Sequence, residues 1–182
     1  MARGTRLNGS FRRFIEAQRM FFVATAAPDG RVNVSPKGMD SLRILGDSTV
    51  RWLNLSGSGN ETAAHLREDA RMTLMFCAFE GDALILRLYG SARVIHPRDA
   101  EWDDAIADFP QMAGTRQVFD LTIDLVQTSC GMGVPLMDYR ADRGAAELLP
   151  YFDDLGPDGV TAFWRRKNVV SLDGKPTGVI AD

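Results

Sequence analysis

Cysteine and histidine are scarce in this sequence, with two of each among 182 residues. Cys77 and Cys130 lie far apart, and neither has a second cysteine or a histidine beside it at metal-ligand spacing. This scarcity excludes a structural zinc site and a disulfide framework, and the missing disulfides fit a reducing compartment. Cys77 falls within the apolar run 75–79 and is predicted to be a small core residue.

Clusters of basic side chains and long apolar runs are also missing. The chain has 21 Lys and Arg residues against 24 Asp and Glu residues, and no segment concentrates the basic ones. Binding to nucleic acid or to an acidic membrane requires such a concentration, so neither partner is expected. No apolar run approaches the length of a transmembrane helix. We therefore expect a cytoplasmic protein.

One stretch, residues 31–76, has the features of a phosphate-binding site. A strand pattern ending near Lys37 is followed by two more strand patterns and by the loop 56–62, which holds two serines, two glycines and a threonine. Hydroxyl groups, glycines and the free N–H groups of a helix start suit an anion, and Lys37 is a candidate counter-charge. The same loop is also explained as a flexible turn in which Asn60 is an ordinary N-cap.

Short apolar runs separated by turn residues predict a mainly β protein of the α+β class. The turn 28–30 (Pro-Asp-Gly) joins two runs in a pattern typical of a hairpin. Hairpin-linked strands with helices at their edges describe an antiparallel barrel. Asp120, Thr122 and Asp124 alternate with apolar residues and are predicted to face solvent. Strands are predicted at residues 20–27, 31–36, 42–45, 50–55, 71–79, 83–95 and 118–126, and helices at 63–69, 97–107, 144–155 and 162–166, after a first helix around residues 11–15.

A dinucleotide-binding Rossmann fold competes with this interpretation. Gly57 and Gly59 precede a helix pattern that follows a strand, and Glu80 ends the next strand near the place of a ribose-binding carboxylate. The third glycine position of that motif holds Thr62, however, and turns rather than crossover helices connect the neighbouring strands. The antiparallel barrel is therefore preferred.

Several loosely defined segments occur in a specific order, namely 35–38 (Ser-Pro-Lys-Gly), 52–59, 60–63 (Asn-Glu-Thr-Ala), 66–76, 86–94, 129–135 and 167–174. Over about residues 10–128 this order resembles the pyridoxamine 5′-phosphate oxidase-like superfamily, the FMN-binding split barrels. The tail resembles a subgroup of uncharacterised flavoproteins in that superfamily. The resemblance implies a single antiparallel split-barrel domain over residues 1–182, in which the helices of a C-terminal extension, 129–182, pack on the barrel or its cleft.

In proteins of this kind FMN lies in a cleft between two subunits, so the resemblance implies a homodimer with a small-molecule substrate. It places the FMN phosphate at the strand–loop–helix element and the flavin ring on the preceding strand. The cofactor-binding residues that it implies are Lys37, Ser56, Asn60 and Thr62 for the phosphate or ribityl chain, Ser35, Pro36 and Leu55 near the ring, and Arg67 as an extra cation.

Two departures argue against pyridoxamine 5′-phosphate oxidation itself. True pyridoxamine phosphate oxidases carry an Arg-Lys pair where this sequence has Glu61 and Thr62, so less positive charge is expected at the phosphate. The tail also lacks the Arg-Leu-x-Pro-like segment that grips pyridoxal phosphate. Deazaflavin and haem stay open as alternatives to FMN. A non-catalytic flavin carrier or sensor, and a split barrel that works through protein contacts alone, also stay open.

No Ser-His-Asp triad or metal constellation is evident in the sequence. Flavin chemistry needs neither, because the cofactor itself transfers the hydride. An FMN-dependent oxidoreductase is therefore the first hypothesis. His65 and His96 are expected to have surface or capping roles. Cys130, Gly131 and Tyr139 are predicted to line a substrate pocket, because the tail can close over the flavin ring.

Overall fold

The computed structural model describes residues 3–181 of the chain. Within this range eight strands form one antiparallel sheet that curls into a split barrel, which confirms the predicted mainly β fold. No helix in the same range is long and apolar enough to cross a bilayer. The strands are β1 (Arg3–Gly4), β2 (Met20–Thr25), β3 (Asn33–Gly38), β4 (Leu42–Ile44), β5 (Thr49–Leu55), β6 (Arg71–Cys77), β7 (Leu84–Ile95) and β8 (Thr115–Cys130).

The strands follow the order β3-β2-β6-β7-β8-β5-β4, and β1 pairs with β8. The predicted hairpin between β2 and β3 is confirmed. Its turn contains Gly30, whose φ of 93° is one that residues with a side chain rarely adopt. β8 pairs with β7 on one side and with β5 on the other. β3 therefore lies at one end of the sheet, and β8 runs through its middle.

A glycine lets β7 and β8 approach closely where their pairing register shifts. The shift falls between Tyr89 and Gly90. A Cβ atom at position 90 would lie 1.9 Å from the carbonyl oxygen of Thr122, so any larger residue would force the backbone apart. Irregularities of this kind bend a strand and increase its twist, which suits a sheet that curls into a barrel.

Aromatic side chains dominate the core enclosed by the sheet. Trp52 stacks on Phe119 with ring centroids 4.5 Å apart, and Phe21 stacks on Phe76 at 5.7 Å. All four rings are buried, and burial of one such side chain stabilises a fold by roughly 2–3 kcal/mol. Cys77 is also buried, which confirms its prediction as a core residue.

The prediction that Asp120 faces solvent is wrong. Its carboxylate accepts hydrogen bonds from Arg51 at 2.6 and 2.9 Å and from Arg93 at 3.0 Å. Both arginines lie directly across from Asp120 on the neighbouring strands, and they replace water around it. Thr122 and Asp124, farther along β8, are exposed as predicted.

Short helices flank the sheet. The first, α1 (Gly9–Ala17), begins after Asn8, whose side chain accepts a hydrogen bond from the Phe11 N–H at 2.9 Å. α2 (Glu61–Leu66) follows the loop after β5. The third, α3, is shorter than the predicted helix 97–107, because Asp99 accepts a hydrogen bond from the His96 N–H at 2.8 Å and closes a turn there. The bounds of α3 are Trp102–Ile106.

The tail carries a π-helix (Gly144–Leu148) followed by α4 (Leu149–Lys167), which is kinked. At Gly156 φ is 63° and ψ is 176°, so the helix breaks there. Its second half starts at Pro157, earlier than the predicted helix 162–166, because proline is well tolerated at a helix start. The kink brings this second half to the loop that follows β5.

Candidate functional site

A cavity of about 340 Å³ lies where β3 and β5 end and α2 begins. The pairing of β5 with β8 shifts its register between Asn54 and Leu55 and ends there, with Leu55 opposite Thr115. The chain then passes through residues 56–60, termed here the Ser/Gly loop, before α2 starts. The second half of β3 forms the facing wall. The volume is at the lower end of the range typical of small-molecule sites.

Lys37 on β3 extends into this cavity. Its ammonium nitrogen lies 3.4 Å from the amide oxygen of Asn54 and 5.2 Å from the ring centre of Trp52. Burial, aided by the nearby charge of Arg116, lowers the pKa of Lys37 to about 8. An anion in the cavity would reverse both effects, because it would favour the charged ammonium.

Arg116, near the start of β8, is the second cation of the cavity. Its side chain is almost fully buried and donates a hydrogen bond to the Gly59 carbonyl oxygen at 3.1 Å. Its Nε atom has no hydrogen-bond partner among residues 3–181. Burial lowers the pKa of Arg116 to about 10. The guanidinium thus stays charged at neutral pH with one buried donor unused.

The two cations of the cavity, Lys37 and Arg116, form no ion pair with any carboxylate of residues 3–181. Glu61 also lines the cavity, but its carboxylate accepts hydrogen bonds from the Leu172 N–H at 3.0 and 3.1 Å. Buried charges are normally paired, so the arrangement calls for an anion.

Asn60 provides the strongest sign of a ligand-binding site. The residue is 3% exposed, and neither its amide nitrogen nor its amide oxygen has a hydrogen-bond partner in the described part of the chain. It does not cap α2 through its side chain, so its interpretation as an ordinary N-cap is wrong. Leaving a buried polar group unpaired costs about 1–3 kcal/mol, and such groups commonly mark a site for a ligand, ion or water.

Seven of the eight residues predicted to bind a cofactor line this one cavity. Two of their hydroxyl groups are already engaged within the protein. Thr62 lies 3.3 Å from the side-chain nitrogen of Asn33, and Ser56 donates to the Gly114 carbonyl oxygen at 2.7 Å. The seven are Ser35, Pro36, Lys37, Leu55, Ser56, Asn60 and Thr62.

The eighth, Arg67, lies away from the cavity. It directly follows α2, and a Cβ atom at Gly178 would lie 2.6 Å from its guanidinium nitrogen. Its charge also helps to lower the pKa of His96, so Arg67 belongs to the surroundings of that histidine. The second cation that sequence reasoning placed at Arg67 is instead contributed by Arg116.

The three predicted substrate-pocket residues also lie outside the cavity lining. Cys130 ends β8 opposite Leu84 and is exposed. Gly131 packs on the backbone of the same residue, where a Cβ atom would lie 2.6 Å from the Leu84 nitrogen. Tyr139 is exposed, with the guanidinium of Arg19 4.9 Å from its ring centre. Cys130 and Gly131 thus lie together beside Leu84, and none of the three residues lines the cavity that holds Lys37.

The expected surface or capping roles of the two histidines are wrong. His65 is 1% exposed, and its Nδ1 atom lies 3.1 Å from the Thr25 hydroxyl. His96 is also buried, with Nδ1 3.4 Å from the side-chain nitrogen of Gln117. Burial, aided by the charge of Arg98, lowers the pKa of His96 to about 4. Neither imidazole lines the cavity, and residues 3–181 contain no group of three or more metal-ligating side chains.

Comparison with known proteins identifies relatives of the chain. Residues 7–130 match the family described as pyridoxamine 5′-phosphate oxidase. The pyridoxamine 5′-phosphate oxidase family protein ustO of Aspergillus flavus is 39% identical over 151 residues, which cover 80% of this chain. The chain spans 61% of the length of that relative.

Solved structures share the fold at low sequence identity. A putative pyridoxamine 5′-phosphate oxidase from Lactobacillus delbrueckii has a TM-score of 0.55 at 19% identity, covering 70% of this chain and 99% of its own. HupZ of Group A Streptococcus has a TM-score of 0.55 at 19% identity, covering 67% and 98%. The haem storage protein HutZ of Vibrio cholerae has a TM-score of 0.50 at 18% identity, covering 70% and 98%. These likenesses establish the fold alone.

Proposed function

The chain belongs to the pyridoxamine 5′-phosphate oxidase family, and from this premise we propose that it binds FMN and acts as a small-molecule oxidoreductase. The cavity at the Ser/Gly loop is the proposed cofactor site. Pyridoxamine phosphate oxidation itself is not proposed, because the two departures noted in the sequence remain.

One observation carries the proposal: a partly buried cation, a buried cation and an orphaned amide, from three separate parts of the chain, line one cavity, and neither cation has an ion-pair partner in the described residues. Lys37 comes from β3, Arg116 from β8 and Asn60 from the end of the Ser/Gly loop. A phosphate monoester carries a charge of about −1.5 to −2 at pH 7, which two cations balance. Its oxygens accept charge-assisted hydrogen bonds, the strong kind, from ammonium and guanidinium groups.

Arg116 supplies positive charge to the cavity, whereas positions 61 and 62 lack the Arg-Lys pair that would supply it. The carboxylate of Glu61 is held by the Leu172 N–H, and Arg116 reaches the cavity from β8, which is far from α2 in sequence but pairs with β5. Positive charge at the phosphate is therefore supplied by a different part of the chain. Because Arg116 supplies this charge, the sequence is compatible with FMN binding although it has no Arg-Lys pair.

The remaining lining residues suit the non-ionic parts of the cofactor. Ser35, Pro36 and Leu55 lie on the walls formed by β3 and β5 and are proposed to contact the flavin ring. Asn60 is proposed to pair with the phosphate or the ribityl chain. Bound FMN would supply hydride transfer, while these residues hold and orient it and exclude water.

A haem-binding function is the second candidate, because HutZ is a haem storage protein of the same fold. Haem iron needs an axial ligand such as a histidine. Both histidines are buried away from the cavity and already face polar partners, Thr25 for His65 and Gln117 for His96. The cation pair instead suits a phosphate-bearing cofactor, FMN or a deazaflavin, so we prefer the flavin.

The absorption spectrum of the purified protein tests the proposal, recorded before and after denaturation. A flavin spectrum, with FMN in the released fraction, is expected, and bleaching on addition of a reduced nicotinamide would support turnover. A protein that is colourless and does not bind added FMN would refute the flavin proposal. A Soret band would favour haem, and a deazaflavin in the released fraction would replace FMN in the same site.

A further inference from the structure

The C-terminal helix holds the Ser/Gly loop through two direct hydrogen bonds. The indole N–H of Trp164 donates to the hydroxyl oxygen of Ser56 at 2.6 Å, and the side-chain amide of Asn168 donates to the Gly57 carbonyl oxygen at 2.9 Å. Both donors come from the last turn of α4 or the residue after it. The loop that begins the proposed phosphate site is thus held by residues more than 100 positions away.

Ser56 uses its hydrogen-bonding proton inside the protein. Its hydroxyl and its backbone N–H both donate to the carbonyl oxygen of Gly114, each at 2.7 Å, and the hydroxyl oxygen accepts from Trp164. A serine hydroxyl has one proton, so Ser56 has none left to donate to a phosphate. It is also 3% exposed. Its geometry is that of an anchor for the loop.

The two halves of α4 contact the hydrogen-bonded pair Ser56 and Gly114 from different positions along the helix. In the first half, the ring of Phe152 lies under Gly114, where a Cβ atom would be 2.6 Å from the ring. Gly114 has a φ of 77°, which favours glycine, so its carbonyl is fixed by both backbone and packing. In the second half, Trp164 reaches Ser56. The kink at Gly156 separates these two contacts along the helix.

The residues that follow α4 contact the turn between β2 and β3, the first residue of α2 and the segment after α2. Lys175 pairs with Asp29 at 2.7 Å and with Glu68 at 2.8 Å. The backbone N–H of Leu172 is held by the carboxylate of Glu61, the first residue of α2. These contacts lie outside the Ser/Gly loop, so the contacts of the C-terminal region with the loop itself are those of Trp164 and Asn168, beside the bond from Arg116 to Gly59.

We propose that Trp164 is a positioning residue for the cofactor, which acts by fixing Ser56 and through it the shape of the Ser/Gly loop. This inference rests on the proposed FMN site. It assigns Ser56 the role of an anchor rather than that of a phosphate ligand. The inference also includes α4 in the cofactor site, although α4 lies beyond residues 7–130, which match the family.

A double-mutant cycle tests the inference, using Trp164→Phe, Ser56→Ala and the double variant. Trp164→Phe removes the indole N–H while keeping an aromatic ring. Trp164→Phe is expected to weaken FMN binding about five- to tenfold, the range for one lost neutral hydrogen bond. Ser56→Ala also removes the hydrogen bond to the Gly114 carbonyl oxygen and should weaken binding at least as much. The double variant is expected to match Ser56→Ala, because the Trp164 bond is already lost when Ser56 is replaced. Trp102→Phe, on α3, is the matched control and is expected to keep the parent affinity.

Hydrogen exchange of the loop amides gives a readout that does not need FMN. Residues 57–60 are expected to exchange at least about fivefold faster in Trp164→Phe than in the parent, and at the parent rate in Trp102→Phe. Any of three results would overturn the inference. They are equal exchange of the loop amides in Trp164→Phe and the parent, an unchanged FMN affinity in Trp164→Phe, and additive effects in the double variant. A parent that binds no FMN would refute the proposed function, and loop exchange alone would then decide the role of Trp164.

Discussion

Lys37 and Arg116 line the same cavity, and the charge of Arg116 contributes to the lowered pKa of Lys37. Two cations that destabilise each other in a partly buried site are unfavourable unless something negative joins them. The free protein therefore carries an electrostatic cost that a phosphate would relieve.

Replacing Lys37 by alanine is expected to weaken FMN binding without unfolding the protein. A hydrogen bond to a charged group contributes about 1.5–3 kcal/mol, so the dissociation constant should rise about 10- to 100-fold. Fluorescence titration of the apoprotein measures it, and circular dichroism verifies the fold. Lys167→Ala, an exposed lysine at the end of α4, is the control and should bind as the parent does. Equal affinity of Lys37→Ala and parent would show that the phosphate lies elsewhere.

FMN affinity is expected to fall as the pH rises through about 8. In the free protein the pKa of Lys37 is about 8, whereas a bound phosphate raises it by favouring the ammonium. Below pH 8 the lysine is already charged and affinity is at its full value. Above pH 8 binding must take up a proton, so affinity should drop by up to about tenfold per pH unit. Titrations between pH 7 and 9.5 test this, and a flat profile would contradict the assignment of Lys37.

Arg116→Gln is expected both to weaken FMN binding and to move this pH dependence upward. One charge is lost at the phosphate, and the neighbouring charge that helps to lower the pKa of Lys37 disappears with it. The fall in affinity should therefore begin at a higher pH than in the parent. Arg98→Gln, whose guanidinium bonds to carbonyl groups of the tail, is the control. An unshifted profile in Arg116→Gln would mean that the two cations do not interact.

Local sequence signals predicted most of the fold and one wall of the site. The Pro-Asp-Gly turn, the alternation of apolar residues and the Ser/Gly loop are each contained within a few residues, so hairpins and loop ends could be recognised. Lys37 was predicted for the same reason, since it stands near the end of one strand. The role of Asn60 in the cofactor site came from the family resemblance, because the local pattern alone indicated an N-cap.

Contacts between distant segments could not be predicted in the same way. Arg116 is 57 positions from the Gly59 carbonyl that it reaches, and Trp164 is 108 positions from Ser56. No periodicity links such pairs, because they depend on where a strand and a helix finally pack. Asp120 shows the same effect: alternation alone indicated a solvent-facing carboxylate, and arginines on two neighbouring strands pair with it instead.

Asp120→Asn is expected to destabilise the protein by about 3 kcal/mol. The carboxylate serves Arg51 and Arg93 together, and its neutralisation leaves the partly buried guanidinium of Arg51 without its ion pair, whereas the more exposed Arg93 keeps Glu101. Urea unfolding measures the loss as a lower midpoint with an unchanged slope. Asp124→Asn on the same strand, which is exposed, should change stability by less than about 0.5 kcal/mol. Equal midpoints for the two variants would mean that the network contributes nothing.

The homodimer implied by the family resemblance leads to a prediction about β3. This strand ends the sheet, and Val32 and Val34 next to or on it are 70% and 60% exposed. An edge strand with exposed apolar side chains favours association, and the same strand carries Ser35, Pro36 and Lys37 on the cavity wall. A partner that covers β3 would therefore also help to enclose the cofactor.

Val34→Lys is accordingly expected to produce a monomer that binds FMN about tenfold more weakly, because a lysine ammonium cannot be buried in an apolar interface without cost. Light scattering should give twice the chain mass of 20.1 kDa for the parent and that mass alone for the variant. Leu45→Lys, also exposed but near the opposite end of the sheet, should leave the dimer intact. A monomeric parent would refute the dimer. A dimeric Val34→Lys variant with full FMN affinity would place the interface away from β3, and the cofactor would then be held by one chain.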